Sequence, residues 1–240
     1  MWRDQRISVV LPTYNEAESI GACINDFEAL GLVDEIVVVN NNAAQGTSEA
    51  VAATSAREVF EPRQGYGAAI RRGFCEAKGD LICLCEPDGT FVAADLLKLL
   101  PFSDDVDVVL GSRTVSTFIW TGANMGFWLR WGNWTVAKLI EVLFNTTYLS
   151  DVGCTFRVMR RQAVAELEPN FRTHGSAFGL ELLMLSVLRG HRFVQVPVKY
   201  LSRVGASSVT GDPRKTVNLG FRMIALVLAY RVGFYRMARR

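Results

Sequence analysis

The sequence has few of the side chains that build disulfide scaffolds or zinc centres. Its five cysteines are an odd number with no Cys-x-x-Cys pair, and it has only two histidines. These counts argue against a disulfide framework and against a zinc site. We therefore expect most of the cysteines to be small buried apolar side chains in a reducing compartment.

Long apolar runs and familiar nucleotide motifs are also missing. The N-terminal apolar run stops at Pro12, well short of the core of a secretory signal, and the run at 223–230 is too short to span a bilayer. No G-x-G-x-x-G or G-x-x-x-x-G-K-[ST] occurs, which excludes the usual dinucleotide and P-loop sites. We expect a cytoplasmic protein that binds phosphate by other means.

The composition is that of a folded protein with a large core. Of the 240 residues, 50% are apolar and 21% are charged, with 26 basic and 24 acidic side chains. This excludes disorder and collagen-like structure. We predict one catalytic domain over residues 1–215 and a basic amphipathic segment over residues 216–240.

Short apolar runs alternate with helical periodicity in the first half of the chain. Runs rich in β-branched residues predict parallel strands at 7–11, 36–39, 81–85 and 106–110. Apolar side chains spaced by three or four residues predict a helix from about 17 to 30, and further helices are expected near 47–55, 66–77 and 95–100. This alternation predicts an α/β fold with a doubly wound, mostly parallel sheet and helices on both faces.

Polar residues follow each predicted strand, at the edge where such sheets bind ligands. Glu86 and Asp88 lie two apart, directly after the apolar run LICLC, so one extended backbone can aim both carboxylates into one crevice. Such a pair suits Mg²⁺ or Mn²⁺, which keeps further positions for water and substrate phosphate. In isolation, the same spacing also fits a solvated pair of turn acids.

Taken together, these segments resemble the family-2 glycosyltransferases of GT-A fold, especially the dolichyl- or polyprenyl-phosphate sugar synthases. Five motifs stand in the family's order over roughly residues 7–208. They are PTYNE at 12–16, VVVNNNAAQGT at 37–47, GYGAAIRRGFCEAKGDLICLCEPD at 65–88, GSR at 111–113 and LSDVGCTFRVMRR at 149–161.

The resemblance implies an inverting, metal-dependent hexosyltransferase that moves a sugar from a UDP- or GDP-hexose to a polyprenyl or dolichyl phosphate. Carried over position by position, it implies a set of donor-site residues and a set of metal ligands. The donor-site residues are Pro12, Tyr14, Glu16, Asn41 and Gly67, and the metal ligands are Glu86, Asp88 and Thr90.

Four of these positions depart from the family's motifs. Asn40 and Asn41 replace two aspartates, and an amide facing the base favours uracil over guanine. Glu86 replaces the first aspartate of the metal motif. Thr90 stands where the polyprenyl enzymes have a glutamine that binds the metal. The alternative to a metal ligand is that Thr90 only stabilises a turn.

Three further residues are implied to act on the reacting groups, with Asp88 as the fourth catalytic residue. Arg113 and Arg157 match arginines that reach the donor and acceptor phosphates, and a surface ion pair is the alternative for each. Glu181 stands where relatives that use a hydroxyl acceptor place a base, or it is an exposed helix residue.

The aromatic and basic segments indicate a membrane surface. Residues 117–147 hold four of the five tryptophans and are predicted to form interface helices, with burial in the core as the alternative for 134–144. Residues 203–240 hold eight basic residues and one acidic, interleaved with apolar residues, which suits an anionic membrane better than nucleic acid. We expect peripheral binding at the cytoplasmic face. Docking on the domain or on a second subunit in a homo-oligomer is the alternative for the run at 223–230.

The segment 198–215 is predicted to be a loop over the active site, because it is rich in glycine, serine and basic residues. It resembles an R-x-x-G-x-S-K region that closes on the acceptor. Arg203, Ser207 and Ser208 match that region, and Lys215 is a substitute for its lysine.

Two other functions remain open. The first is a family-2 enzyme that uses a hydroxyl acceptor in glycan synthesis, with Glu181 as the base. The second is a membrane-surface protein that binds sugar nucleotides without catalysis, which the departures at Asn40, Asn41 and Glu86 would suit.

Overall fold

The protein is described here from a computed structural model, which covers residues 1–123, 126–205 and 213–233. Within these residues, seven strands form one sheet. They are β1 (Ile7–Thr13), β2 (Glu35–Asn40), β3 (Arg57–Phe60), β4 (Leu81–Leu84), β5 (Val108–Ser112), β6 (Arg157–Arg160) and β7 (Phe193–Pro197). Their spatial order is β3-β2-β1-β4-β6-β5-β7.

All neighbouring pairs of strands are parallel except the two that involve β6, which runs antiparallel between β4 and β5. The predicted α/β fold with a mostly parallel sheet is therefore confirmed. The four predicted strands correspond to β1, β2, β4 and β5. The sequence analysis missed β3, β6 and β7.

Helices lie on both faces of the sheet. They are α1 (Ile20–Glu28), α2 (Thr47–Ala52), α3 (Tyr66–Glu76), α4 (Leu96–Leu99), α5 (Phe127–Phe144), α6 (Arg161–Leu167), α7 (Phe178–Arg189) and α8 (Pro213–Arg231). Because successive strand residues point to opposite faces, Val9 and Leu11 pack with α1, whereas Val10 packs with α3.

The two long helices expected at the membrane share the core of the domain. In α5, Val136, Ala137 and Ile140 are buried, and in α8, Val227 and Tyr230 are buried in the same cluster. The predicted domain boundary at 215/216 falls inside α8. None of the helices in the described part of the chain is long and apolar enough to cross a bilayer.

The expectation that most cysteines are buried holds for three of the five. All five cysteines are free thiols, and Cys83, Cys85 and Cys154 are buried in the apolar interior. Cys23 is half-buried and Cys75 is exposed. Burial raises the pKa of the Cys154 thiol to about 12, as expected for an unreactive core cysteine.

Helix α3 approaches the sheet closely at Gly73, and this contact yields a prediction. A Cβ at this position would overlap Val10 and press on Val39. Alanine normally stabilises a helix relative to glycine, but here Gly73→Ala should lower the free energy of unfolding by about 1–3 kcal/mol through overpacking. Urea denaturation measures the change.

The matched control is Gly132→Ala in α5, where an added Cβ has nothing within 4 Å. This variant should gain about 0.5–1 kcal/mol from helix propensity. Equal effects of the two substitutions would contradict the close packing of α3 on the sheet.

Candidate functional site

The polar residues expected to form a site meet at the carboxyl edge of β1, β2 and β4. The Asn41 N–H donates to the Thr13 carbonyl at 3.0 Å, and the Ala44 N–H donates to the Tyr14 carbonyl at 2.6 Å. The Ser19 hydroxyl donates to the Pro87 carbonyl at 2.6 Å. These bonds fix the three strand ends relative to one another.

A cluster of three carboxylates surrounds the guanidinium of Arg203. Nη2 of Arg203 contacts Asp88 Oδ2 and donates to Glu86 Oε2 at 3.2 Å. Nη1 lies 3.9 Å from Glu16 Oε1. The cluster therefore joins the PTYNE motif, the metal motif and the segment before residue 206. Ser207 and Ser208 of that segment lie outside the described residues, as does the side chain of Lys215.

Asp88 is almost completely buried, and a tight turn sets its orientation. Its Oδ1 accepts hydrogen bonds from Thr90 N at 2.9 Å and Thr90 Oγ1 at 2.5 Å. Burial and the nearby Glu86 charge raise the pKa of Asp88 to about 6, against the opposing effect of Arg203. The structure thus gives Thr90 the turn role that the sequence left as its alternative.

The remaining oxygen of Asp88 fits a divalent cation. Among the described residues, the buried Oδ2 accepts no aligned hydrogen bond and contacts the Arg203 guanidinium. Within the described residues, no group of three acidic, histidine or cysteine side chains is arranged to hold a metal ion alone. The donor set suits Mg²⁺ or Mn²⁺ that takes its other ligands from water and substrate phosphate.

Glu86 is held by a chain of hydroxyls that the sequence analysis did not assign. Thr155 Oγ1 donates to Glu86 Oε1 at 2.7 Å, and the Tyr66 hydroxyl lies 2.6 Å from Thr155 Oγ1. Burial and the charge of Glu86 raise the pKa of Tyr66 well above its usual value, so the phenol stays protonated. Both residues fall inside motifs quoted for the family resemblance.

Arg113 is clamped by Asp151, another residue that the sequence analysis left without a role. Nε of Arg113 donates to Asp151 Oδ2 at 2.9 Å and Nη2 donates to Oδ1 at 3.0 Å. Burial opposes ionisation of Asp151, but the guanidinium outweighs it and lowers the pKa of the carboxyl. The ion pair weighed as the alternative for Arg113 is therefore present, but it lies largely beneath the surface, with Asp151 fully buried and the Arg113 side chain 13% exposed.

Arg157 is also buried, and no carboxylate of the described residues lies within ion-pair distance of it. Its guanidinium donates to three main-chain carbonyls, those of Cys154 at 2.6 Å, Gly179 at 3.2 Å and Thr155 at 3.3 Å. Burial lowers the pKa of Arg157. The surface alternative is wrong for Arg157, and the side chain joins β6 to the start of α7.

Glu181 is fully buried rather than an exposed helix residue, so that alternative is wrong. Its carboxylate accepts from the main-chain N–H groups of Arg172 and Thr173, from the Thr173 hydroxyl at 2.8 Å, and from the Tyr230 hydroxyl at 3.1 Å. These bonds tie α7 to the preceding loop and to α8.

Asn41 is buried, and all of its side-chain hydrogen-bonding capacity is used. Nδ2 donates to the carbonyls of Glu61 at 2.9 Å and Arg63 at 2.8 Å, while Oδ1 accepts from Gly65 N at 2.8 Å and Gln64 Nε2 at 3.2 Å. An amide donates and accepts in this way, but a carboxylate cannot. In the structure the Asn41 side chain fixes the loop at 61–65, and its contact with the base of a nucleotide stays a prediction.

The Asn40 side chain also uses its amide both to donate and to accept hydrogen bonds. Its Nδ2 donates to Glu58 Oε1 at 2.8 Å, and its Oδ1 accepts from Ala43 N at 2.8 Å. An aspartate here would repel the Glu58 carboxylate. The two amides that replace the family's acidic pair therefore suit the hydrogen-bonding groups that surround them in this chain.

The other expected donor-site residues shape the edge. Pro12 is buried in β1, and the Tyr14 side chain is 45% exposed beside the cluster. Glu16 Oε2 accepts from the main-chain N–H groups of Tyr14 and Asn15. Gly67 lies where a Cβ would clash with Phe178 and His174, so this glycine permits the close approach of α3 to the start of α7.

Comparison with known proteins identifies relatives over most of the chain. The family model for glycosyl transferase family 2 matches residues 8–168. An uncharacterised glycosyltransferase of Mycobacterium tuberculosis is 32% identical over 213 residues, which cover 88% of this chain and 93% of that protein. A dolichyl-phosphate hexose transferase of Haloferax volcanii is 29% identical over 209 residues, covering 86% and 87%.

Solved structures give the same fold. Glucosyl-3-phosphoglycerate synthase from Mycobacterium tuberculosis, in complex with Mn²⁺, UDP and glucosyl-3-phosphoglycerate, superposes with a TM-score of 0.71. The match covers 96% of this chain and 81% of that chain at 20% sequence identity. The expected GT-A fold is confirmed.

The bonds of Asn41 yield a prediction about stability. Asn41→Asp removes two buried donors and sets a carboxylate against the carbonyls of Glu61 and Arg63, so it should lower the free energy of unfolding by about 2–4 kcal/mol. Urea denaturation measures the loss. Asn42→Asp is the control, because Asn42 is exposed and donates one bond at 3.3 Å to Pro62. An unchanged unfolding midpoint for Asn41→Asp would contradict the assigned bonds.

Proposed function

We propose that this chain, which belongs to glycosyl transferase family 2, transfers a hexose from a nucleotide sugar to a phosphate-bearing acceptor at a membrane surface. The acceptor we favour is a polyprenyl or dolichyl phosphate, and the protein would act as a peripheral protein of the cytoplasmic face. The observation that carries the proposal is the carboxylate pair at the carboxyl edge of the sheet, formed by the buried Asp88 and the half-buried Glu86.

The carboxylate pair supports binding of the donor through its diphosphate. A bound Mg²⁺ or Mn²⁺ would neutralise the diphosphate and so stabilise the leaving nucleotide. Glu86 and Asp88 would hold that ion, while Thr90 and Thr155 keep the two carboxylates oriented through hydrogen bonds. Mn²⁺ and UDP in the similar synthase support both the ion and UDP as the nucleotide.

The transfer itself needs a nucleophile, a leaving group and charge stabilisation. An oxygen of the acceptor phosphate attacks the anomeric carbon from the face opposite the diphosphate. A carbon–oxygen bond forms there as the bond to the diphosphate breaks, and the electron pair leaves with the diphosphate. The buried positive charges of Arg113 and Arg157 would stabilise the phosphates through this exchange.

A phosphate acceptor is favoured because the side chain expected to act as a base is already engaged. Glu181 is the acid expected to activate a hydroxyl acceptor, yet its carboxylate already accepts four hydrogen bonds in the interior. A phosphate monoester is anionic at neutral pH and needs no base. The relative described as a dolichyl-phosphate hexose transferase supports the same class of acceptor.

The outer faces of α5 and α8 support membrane contact. In α8, Phe221 and Leu228 are exposed on the side away from the core, with Arg222 beside them. In α5, Trp131 and Trp134 are exposed and lie edge to face. Exposed tryptophans with flanking arginines are typical of a helix that lies in the headgroup region. A homo-oligomer contact through α8 is the competing use of this face.

A soluble phosphorylated acceptor is the second candidate. The similar synthase was solved with glucosyl-3-phosphoglycerate bound. The same fold can therefore act on a phosphorylated acceptor that is not a lipid. Sugar-nucleotide binding without catalysis is the third, and turnover of any nucleotide sugar would exclude it.

Asp88→Asn tests the metal assignment while sparing the turn. The asparagine Oδ1 can still accept both bonds from Thr90, but the charge that faces the cation is lost. We expect transfer to fall by at least about a hundredfold and Mn²⁺ affinity to drop, with stability little changed. Product formation and Mn²⁺ titration measure the two effects.

Asp105→Asn is the matched control, because Asp105 is exposed and lies at the end of the turn after α4. It should behave like the wild type in both assays. Undiminished transfer by the wild type in excess EDTA would rule out the metal assignment.

Binding to anionic vesicles tests the membrane assignment. The wild type should pellet with vesicles rich in phosphatidylserine and release partly at high salt, because screening weakens the basic contribution. Phe221→Ser should weaken binding about tenfold to a hundredfold, since a buried phenyl ring contributes roughly 1.5–3 kcal/mol. A sedimentation assay over a range of lipid concentrations measures both.

Phe60→Ser is the matched control. Phe60 on β3 is 56% exposed and Phe221 is 69% exposed, so both are solvent-facing phenylalanines, but only Phe221 lies on the proposed face. Equal recovery of the wild type in the supernatant with and without vesicles would refute membrane binding.

A further inference from the structure

A cavity of about 420 Å³ adjoins the carboxylate cluster. Its lining combines an indole, a lysine, two hydroxyl side chains and small apolar groups. The lining residues are Gly89, Val92, Trp120, Thr121, Lys199, Leu201 and Ser202. This volume lies within the usual range for sites that bind small molecules.

The walls of the cavity are built by main-chain hydrogen bonds. Leu201 N donates to the Thr90 carbonyl at 2.9 Å, and Trp120 N donates to the Tyr200 carbonyl at 3.0 Å. The Ser202 hydroxyl lies 3.4 Å from the Thr121 carbonyl. Three separate parts of the chain are thus locked together around the cavity.

The cavity shares its walls with the proposed donor site. Gly89 directly follows Asp88, and Ser202 directly precedes Arg203, whose guanidinium contacts Asp88. The Val204 N–H also donates to the Asp88 carbonyl at 2.9 Å. A molecule in the cavity would therefore lie next to the metal and diphosphate that we propose at Asp88.

Lys199 gives the cavity its charge. The adjacent acid, Asp95, is already engaged, because Lys98 Nζ pairs with its Oδ1 at 2.7 Å and the Lys199 main-chain N–H donates to its Oδ2 at 2.5 Å. No acidic side chain of the described residues lies within ion-pair distance of Lys199 Nζ. An ammonium group without a counter-ion, in a cavity that also presents two hydroxyls, is suited to an anion.

We propose that this cavity is the acceptor subsite and that Lys199 binds the phosphate of the acceptor. The inference rests on the proposed transfer reaction and adds the location and the chemistry of its second substrate. The Thr121 hydroxyl supplies a neutral donor to the same phosphate, and the Ser202 hydroxyl supplies a second when it releases its 3.4 Å bond to the Thr121 carbonyl. Trp120 is 56% exposed at the cavity and packs against the apolar part of the acceptor next to the phosphate.

The test measures acceptor binding directly, in the presence of Mn²⁺ and UDP. Three probes are titrated by calorimetry: inorganic phosphate, 3-phosphoglycerate in solution, and polyprenyl phosphate in detergent micelles. Lys199→Met keeps most of the side-chain length and removes the charge. It should weaken binding of every probe that the wild type binds by about tenfold to a hundredfold, as expected for a lost charge-assisted hydrogen bond.

Two readouts separate a binding role from a structural one. The affinity for Mn²⁺ and the KM for the nucleotide sugar should stay within about twofold of the wild type, while the KM for the acceptor rises. Lys78→Met is the matched control, because Lys78 lies beside a different cavity, next to Arg6 and Glu35. It should leave all three quantities unchanged.

The arms of the experiment distinguish the source of the phosphate. If the acceptor is a lipid, Trp120→Ala should weaken the binding of polyprenyl phosphate more than the binding of inorganic phosphate. If the acceptor is a soluble phosphate, the substitution should weaken the binding of both probes equally. The inference is overturned if no probe binds to the wild type, or if Lys199→Met binds the probes as the wild type does. Phosphate binding without turnover of any nucleotide sugar would instead refute the proposed transfer reaction and leave the anion site standing.

Discussion

Two carboxylates that follow one buried strand repel each other, and the architecture of the site depends on how this repulsion is balanced. The Asp88 side chain is 1% exposed and that of Glu86 is 26% exposed, so water screens the pair only in part and a cation between the two carboxylates lowers their repulsion. The Arg203 guanidinium takes this position in the structure and also approaches Glu16. Through that contact the chain after β7 is held over the end of β4. One electrostatic requirement therefore links segments that are more than a hundred residues apart.

Around this centre, charged groups are held by specific partners rather than by solvent. Asp151 grips Arg113, carbonyls surround Arg157, and main-chain N–H groups hold Glu181. Each of these buried charges has its hydrogen bonds satisfied, which is the condition under which burial does not destabilise a fold. The edge is consequently preorganised, with few side chains that need to rotate when substrates arrive.

The sequence was informative where burial and periodicity coincide. The strands β1, β2, β4 and β5 are almost wholly buried, so their apolar runs are continuous and were predicted. The missed strands lack this signature, since β3 and β7 are half-buried edge strands and β6 begins with an arginine. The carboxylate pair was found by motif, but the partners of Asn41 and Glu181 depend on loops whose path no local pattern encodes. For that reason, the sequence did not reveal that the Asn41 side chain bonds the loop at 61–65.

The antiparallel insertion of β6 has a consequence for how the chain folds. Strands β4 and β5 are not hydrogen-bonded to each other, because β6, which comes later in the sequence, lies between them. During synthesis, therefore, both strands emerge before the strand that joins them. The free edge of β4 stays unpaired until residues 157–160 arrive, and β5 is paired on both sides only after β7 has arrived. Unpaired edges invite association with other chains, and such distant pairings form slowly. Protection of the nascent chain by a chaperone would matter most in this interval, before the sheet that carries Glu86 and Asp88 is complete.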